Sequence, residues 1–293
     1  MIKLKAGALE AALSPDMGGA LLWLTSGGID LLQRAPGDGH DPLLTASFPL
    51  VPYANRIAHG RFTFDGQSHK LPRNFGDHPH SIHGNGWQSK WAAQDVASDS
   101  VNLALDHMAD AAWPWDYGAQ QHVLLTPDAL TLRLTVTNRS DRAMPVGLGF
   151  HPYFLADADT RLTFDAASLW LSTPDMLPDR EVAADTLGDW SRGGVVPGDS
   201  LIDNVYGGWT GSALIQRGGG TRLTLTAQGA DWLHVYRPPN ATHFCVEPVT
   251  HMPDALNLSE GMESLLPGAH RSLSMTIAIG KSDETLPNGD ELS

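Results

Sequence analysis

The sequence predicts an all-β protein, one large β-sandwich with little helix. Three observations carry this: apolar side chains alternate with period two from end to end, helical spacing is weak throughout, and thirty glycines and twenty prolines among 293 residues supply many turns. In chain order, Phe62 and Phe64 alternate with Arg61 and Thr63 and run into Asp65-Gly66, a pair that readily takes the positive φ angles of a tight hairpin. Leu130, Leu132, Leu134 and Val136 interleave with Thr131, Arg133, Thr135 and Thr137. Leu223 and Leu225 do the same against Thr224 and Thr226, as do Leu273, Met275, Ile277 and Ile279 against Ser272, Ser274 and Thr276. Such spacing puts one face of a strand in a core, whereas a helix would scatter it. The best helical candidate, Asp254 to Leu266, is broken by Gly261 and stopped by Pro267.

No fixed-period repeat, low-complexity linker or mid-chain composition shift divides the chain, so residues 1–280 are expected to form a single domain. Residues 281–293 carry Asp283, Glu284, Asp290 and Glu291 with Pro287 and Gly289 and no alternating apolar face; a disordered acidic tail is expected there. Nineteen Lys and Arg against 33 Asp and Glu leave a net charge of −14. That surplus repels phosphate backbones and anionic lipid, so neither nucleic acid nor membrane is expected as a partner, and small molecules remain. Cys245 is the one cysteine, which excludes an internal disulfide and leaves no set of cysteines to hold a structural zinc or an iron–sulfur cluster, and it favours a reducing compartment. With no secretion signal and no spanning apolar run, a cytoplasmic location is expected.

Phosphate loops, dinucleotide fingerprints, His-Glu-x-x-His and Gly-x-Ser-x-Gly are all missing, which removes most support for nucleotide chemistry and serine hydrolysis. What remains is histidine, carboxylate and arginine in unusual settings. His78, His80 and His83 fall within six residues, followed by Gly84 and Gly86, which would let a ligand approach the backbone. A metal site, hydrogen bonding by one neutral imidazole, and solvated loop histidines are all open readings. In Gly147-Leu148-Gly149-Phe150-His151-Pro152-Tyr153-Phe154, His151 is the one group that titrates near neutrality; it is either tuned for proton transfer or a core histidine. In His243-Phe244-Cys245-Val246-Glu247-Pro248, period two puts His243, Cys245 and Glu247 on one face, lining either solvent or a pocket. Cys245 reads as a small buried apolar residue. Asn55-Arg56 and Asp203-Asn204-Val205-Tyr206 sit among turn residues and read as surface pairs or hairpin caps, so truncation there should spare the core. Trp113, Trp115 and Trp209 could face a sugar ring or fill the core.

Taken in order, Asn55-Arg56-Ile57 with Gly60 and Phe62, His83-Gly84, His151-Pro152-Tyr153-Phe154, Asp203, Glu247-Pro248-Val249-Thr250 and Pro253-Asp254-Ala255-Leu256-Asn257 resemble the aldose 1-epimerase (galactose mutarotase) family. The resemblance implies the galactose mutarotase-like supersandwich, with a sugar in an open cleft. It implies Glu247 as catalytic base and His151 as catalytic acid, with Arg56, its neighbour Asn55, His83 and Asp203 binding the sugar, and no cofactor or metal. Anomer interconversion needs one group to take the proton of the C1 hydroxyl while another protonates the ring oxygen, which suits this pair. The expected pH behaviour follows from charge: a nearby Glu247 should raise the His151 pKa. Asn85 between Gly84 and Gly86, and Leu155 after Phe154, depart from the family pattern and are expected to bear on hydroxyl recognition. The alternatives are a non-catalytic carbohydrate-binding sandwich, a metal-dependent sugar isomerase built on His78, His80 and His83, and a hexose-6-phosphate 1-epimerase, which would want a basic cluster.

Overall fold

The structure is a computed structural model that describes residues 1–37, 41–259 and 261–280. Among these residues the regular structure is strand, joined by a few three-residue 3-10 turns, as the alternation predicts. No helix among them is long and apolar enough to cross a membrane. The stretch expected to be a disordered tail, 281–293, lies outside the described residues.

A nine-stranded antiparallel sheet runs in the order Ala92–Gln94, Ser100–His107, Tyr117–Leu125, Ala129–Asn138, His270–Ile279, Arg222–Gln228, Ser212–Gln216, Arg161–Phe164 and Gly194–Val195. Its central strands are the three most regular alternations of the sequence. In Ala129–Asn138 the leucines at 130, 132 and 134 are buried, while outward hydroxyls pair across strands, Thr131 with Thr276 at 3.0 Å and Thr135 with Ser272 at 2.8 Å. An eight-stranded sheet runs Pro178–Ala183, Ser168–Ser172, Ile202–Gly207, Trp232–Arg237, His243–Val249, Gly149–Phe150 and Pro49–Leu50, with Tyr153–Leu155 also paired to His243–Val249. A four-stranded sheet is formed by Ile2–Ala6, Leu9–Ser14, Ala20–Ser26 and Ile29–Asp30.

One cluster of buried side chains joins all three sheets: Leu132 and Leu134 from the first, Val235, Phe244 and Val246 from the second, Leu4 and Leu13 from the third. Each such residue contributes about 1.5–3 kcal/mol on burial, which is what holds the layers face to face. Trp113, Trp115 and Trp209 belong to this cluster, so of their two readings the core-filling one holds.

The helical candidate Asp254 to Leu266 yields a single 3-10 turn, Ala255–Asn257, and a short strand, Glu263–Leu265. The turn has a positional role. Asp254 donates its backbone N–H to the Arg56 carbonyl at 2.7 Å and accepts from the Ala58 N–H at 2.8 Å and from Asn257 Nδ2 at 2.7 Å, clamping the segment that carries Arg56.

Gly84 and Gly86 make room for the chain itself and not for a ligand. A Cβ at Gly84 would stand 2.1 Å from the Val51 carbonyl oxygen, and one at Gly86 would stand 2.2 Å from Val51 Cγ1. Gly84 also has φ +69°, a left-handed conformation that disfavours other residues. Gly84→Ala is therefore expected to destabilise by about 3 kcal/mol or more in chemical denaturation. Gly66→Ala, at a similar φ of +72° with open space around it, should cost only about 1–2 kcal/mol. Equal losses for the two variants would show that the Val51 contact is not limiting.

Candidate active site

Strand register assembles the site. His234 pairs with Glu247, Tyr236 with both Asp203 and Cys245, and Tyr153 with Cys245. Because Gly149 pairs with Val249 and Tyr153 with Cys245, His151 lies opposite Glu247 across the same strand. Period two then turns Asp203, His234, Tyr236, His243, Cys245, Glu247, His151 and Tyr153 toward one face of the eight-stranded sheet.

A cavity of about 270 Å³ opens on that face. All six residues singled out from the sequence line it: Asn55, Arg56, His83, His151, Asp203 and Glu247. A volume near the lower end of small-molecule sites, roughly 300 Å³, suits one small ligand.

His151 Nε2 lies 3.3 Å from Glu247 Oε1, with both side chains almost fully buried. The imidazole packs against Phe48 and Tyr153 at centroid distances of 4.7 Å, which fixes its plane. Burial raises the Glu247 pKa well above the usual carboxylate range, helped by the charge of Asp203 and opposed by Arg56. Burial also lowers His151 to about 3, with His234 adding to the effect. The expectation that Glu247 would raise His151 is thus overturned: desolvation in an aromatic wall outweighs one nearby carboxylate, which is itself pushed toward its neutral form.

Asp203 was expected in a turn at the surface. It lies instead in Ile202–Gly207, a strand buried along its whole length. The two adjacent polar residues that obscured this strand each find partners on opposite faces. Asn204 Nδ2 donates to the Trp170 carbonyl at 3.0 Å, and Asp203 accepts from Arg56 Nη2 at 2.8 Å on one oxygen and meets His234 Nε2 at 2.7 Å on the other. Although burial opposes ionisation, the hydrogen bonds and charge of His234 and Arg56 hold the Asp203 carboxyl well below its ordinary pKa. Arg56 Nη1 also donates to Asn55 Oδ1 at 3.1 Å, so Asn55, Arg56, Asp203 and His234 form one network.

Asn55 and His83 both adopt positive φ, 54° and 62°, and hold each other in it. The His83 N–H donates to the Asn55 carbonyl at 2.9 Å and the Asn55 N–H donates to His83 Nδ1 at 3.1 Å. Burial lowers the His83 pKa well below its ordinary value. A neutral ring with Nδ1 accepting carries its proton on Nε2, which leaves a fixed donor for a ligand.

The three histidines weighed as a metal site do not converge. His83 lines the cavity, His78 Nε2 accepts from Arg56 Nε at 3.4 Å, and His80 is held between the His59 N–H at 3.1 Å and the Asp175 carbonyl at 3.1 Å. Asn85, expected to bear on hydroxyl recognition, lies outside the cavity lining: it accepts from Tyr117 Oη at 2.7 Å and meets His107 Nδ1 at 3.0 Å. Leu155 pairs with His243 and does not line the cavity either.

His234, Tyr236, Gln33 and Phe75 line the cavity and escaped the sequence reading. For His234 and Tyr236 the signal existed, since both are polar positions two apart in Trp232–Arg237, on the strand beside Glu247. Gln33 and Phe75 carry no such signal because only the tertiary fold brings their loops to the rim.

The sequence profile of the aldose 1-epimerase family matches residues 1–278. The chain is 30% identical over 287 residues to the uncharacterized protein YphB of Escherichia coli K12, covering 93% of this chain and 96% of that one. A solved structure from Escherichia coli K12 superposes with a TM-score of 0.87 at 27% identity, covering 95% of this chain and 98% of the other. A galactose mutarotase-like protein from Clostridium acetobutylicum shares the fold, with a TM-score of 0.83 at 20% identity over 95% of this chain and 94% of the other. With the profile spanning nearly the whole chain and the sandwich matching over its full extent, this protein belongs to the aldose 1-epimerase family.

Proposed function

We propose that the protein interconverts the α and β anomers of a free, unphosphorylated aldose. The observation that carries this reading is the buried His151–Glu247 pair at 3.3 Å, set in a sugar-sized cavity beside polar groups held in place by one another. Glu247 takes the proton from the C1 hydroxyl while His151 protonates the ring oxygen, and the ring opens. Rotation about the C1–C2 bond presents the other carbonyl face. Reclosure returns both protons, so the pair ends as it began.

Burial biases the empty pair toward protonated Glu247 and neutral His151. The contact between Nε2 and Oε1 lets that proton cross to the imidazole when sugar hydroxyls solvate the carboxylate, which generates the working base and acid together. Asp203, kept ionised by Arg56 and His234, accepts from sugar hydroxyls, and His83 Nε2–H donates to the oxygen where charge changes.

A phosphorylated substrate is disfavoured by charge. Arg56 is the one Lys or Arg among the described residues lining the cavity, and it is committed to Asp203. A phosphate would meet no free cation and two buried carboxyls.

Polarimetry on freshly dissolved α-anomers of glucose, galactose, xylose and arabinose tests reaction and substrate together. Protein should accelerate the change in rotation for at least one, and activity should survive prolonged chelation; decay at the spontaneous rate for every sugar would remove the reading. Glu247→Gln and His151→Asn should each lower turnover by about 100-fold or more with little change in thermal stability. Near-normal turnover in Glu247→Gln would make His243, on the same strand face, the next base to test.

The Arg56–Asp203 ion pair is part of the cleft lining. Since Asp203 is buried and paired, its truncation is not the harmless surface change that a turn position would allow. Asp203→Asn, which keeps the shape, should weaken sugar binding tenfold or more, and Arg56→Ala should cost stability as well, about 3 kcal/mol, by leaving a buried carboxylate unpaired. Calorimetry showing unchanged affinity in both variants would take this network out of the binding site.

A further inference from the structure

We propose that His151, Cys245 and Glu247 form a binding site for a thiophilic divalent cation of the zinc class, and that its occupation switches the cleft off. The binding itself does not depend on the epimerase reading; the inhibition does.

The three side chains share one sheet face. Cys245 and Glu247 are two residues apart on the strand His243–Val249, and His151 stands across from Glu247. One ligand atom from each lies within 4.8 Å of those of the other two. For a triangle of that size some point lies within about 2.8 Å of every corner, since the bound is the side divided by √3, and the usual bonds of ~2.0–2.3 Å then require side-chain shifts of less than about 1 Å.

Two further observations point to an incoming ligand. His151 Nδ1 and Glu247 Oε2 are buried without a hydrogen-bond partner, which is costly for polar atoms in a protein interior. Both residues line the cavity, so a cation arriving from solvent meets them first, with the free thiol of Cys245 in the floor behind.

The donor set selects the metal. One nitrogen, one sulfur and one oxygen suit zinc, cobalt and cadmium, whereas magnesium and calcium prefer all-oxygen shells. On binding, the metal–sulfur and metal–oxygen bonds form, the Cys245 S–H and Glu247 O–H bonds break, and both protons leave to solvent; nothing is oxidised or reduced. A dication with one thiolate, one carboxylate and one neutral imidazole is neutral overall, which suits a site shielded from water.

The consequence for the cleft is direct. A cation held by Glu247 and His151 keeps both side chains deprotonated and fills the end of the cavity they line, so it acts as an inhibitor that competes with sugar and not as a cofactor. Cys245 has no other part in the chemistry, which makes it the handle for the test.

The experiment uses the full chain and its Cys245→Ser and Cys245→Ala variants. Titration with cobalt(II) should give a near-ultraviolet thiolate-to-metal charge-transfer band in the wild type and none in either variant. Zinc should inhibit anomer interconversion by the wild type, reversed by chelation, and half-inhibition should need at least tenfold more zinc in both variants, while magnesium does nothing. A wild type lacking the cobalt band overturns the proposal whatever the kinetics. So does equal zinc sensitivity in wild type and variants, which would place the metal elsewhere. If no sugar is turned over, the cobalt titration still decides the binding claim.

Discussion

Asp203 and Glu247 carry their carboxyls on one face of one sheet, both almost fully buried, and each must answer for a charge taken from water. They answer in opposite ways. Asp203 is gripped by Arg56 and His234 and stays ionised, so it behaves as a fixed acceptor. Glu247 has one loose contact, to an imidazole that burial also drives neutral, so it can hold or release a proton. Two carboxyls in different environments are thereby held with opposite protonation tendencies, one ionised and one drawn toward its neutral form.

The cleft wall shows the same economy. The left-handed backbone at Asn55 and His83 costs of order 1–3 kcal/mol per residue when unsupported. Here the two strained residues exchange hydrogen bonds, and Asp254 anchors the chain just beyond Arg56. One arrangement thus fixes the imidazole of His83, the direction of the Arg56 side chain and the only tautomer of His83 that accepts from the Asn55 N–H.

What was legible in the sequence follows from which signals are local. Alternation in Ala129–Asn138, Arg222–Gln228 and His270–Ile279 read directly as strands, because one face of each is buried and the other is not. Ile202–Gly207 is buried on both faces and holds Asp203 and Asn204 side by side, so it looked like a turn. The motifs of the family located six cavity residues; His234 and Tyr236, two apart in Trp232–Arg237, carry a local alternation, but only the pairing of that strand with His243–Val249 ties it to Glu247. Charge reasoning on His151 failed for a related cause: the sequence shows a nearby carboxylate but not the aromatic wall of Phe48 and Tyr153 that strips its water.

The cleft is built from two kinds of material. Its floor is paired strand, where a one-residue slip would turn every side chain to the wrong face, so the floor is all but immune to drift. Its rim is short loop: Leu44 and Phe75 are 48% and 39% exposed, and neither is bonded into a ladder. Rim and floor are thus independent: a change in one loop side chain leaves the paired floor as it was. Substitutions at Leu44 or Phe75 therefore alter what the mouth of the cavity meets without moving the register of the strands beneath it.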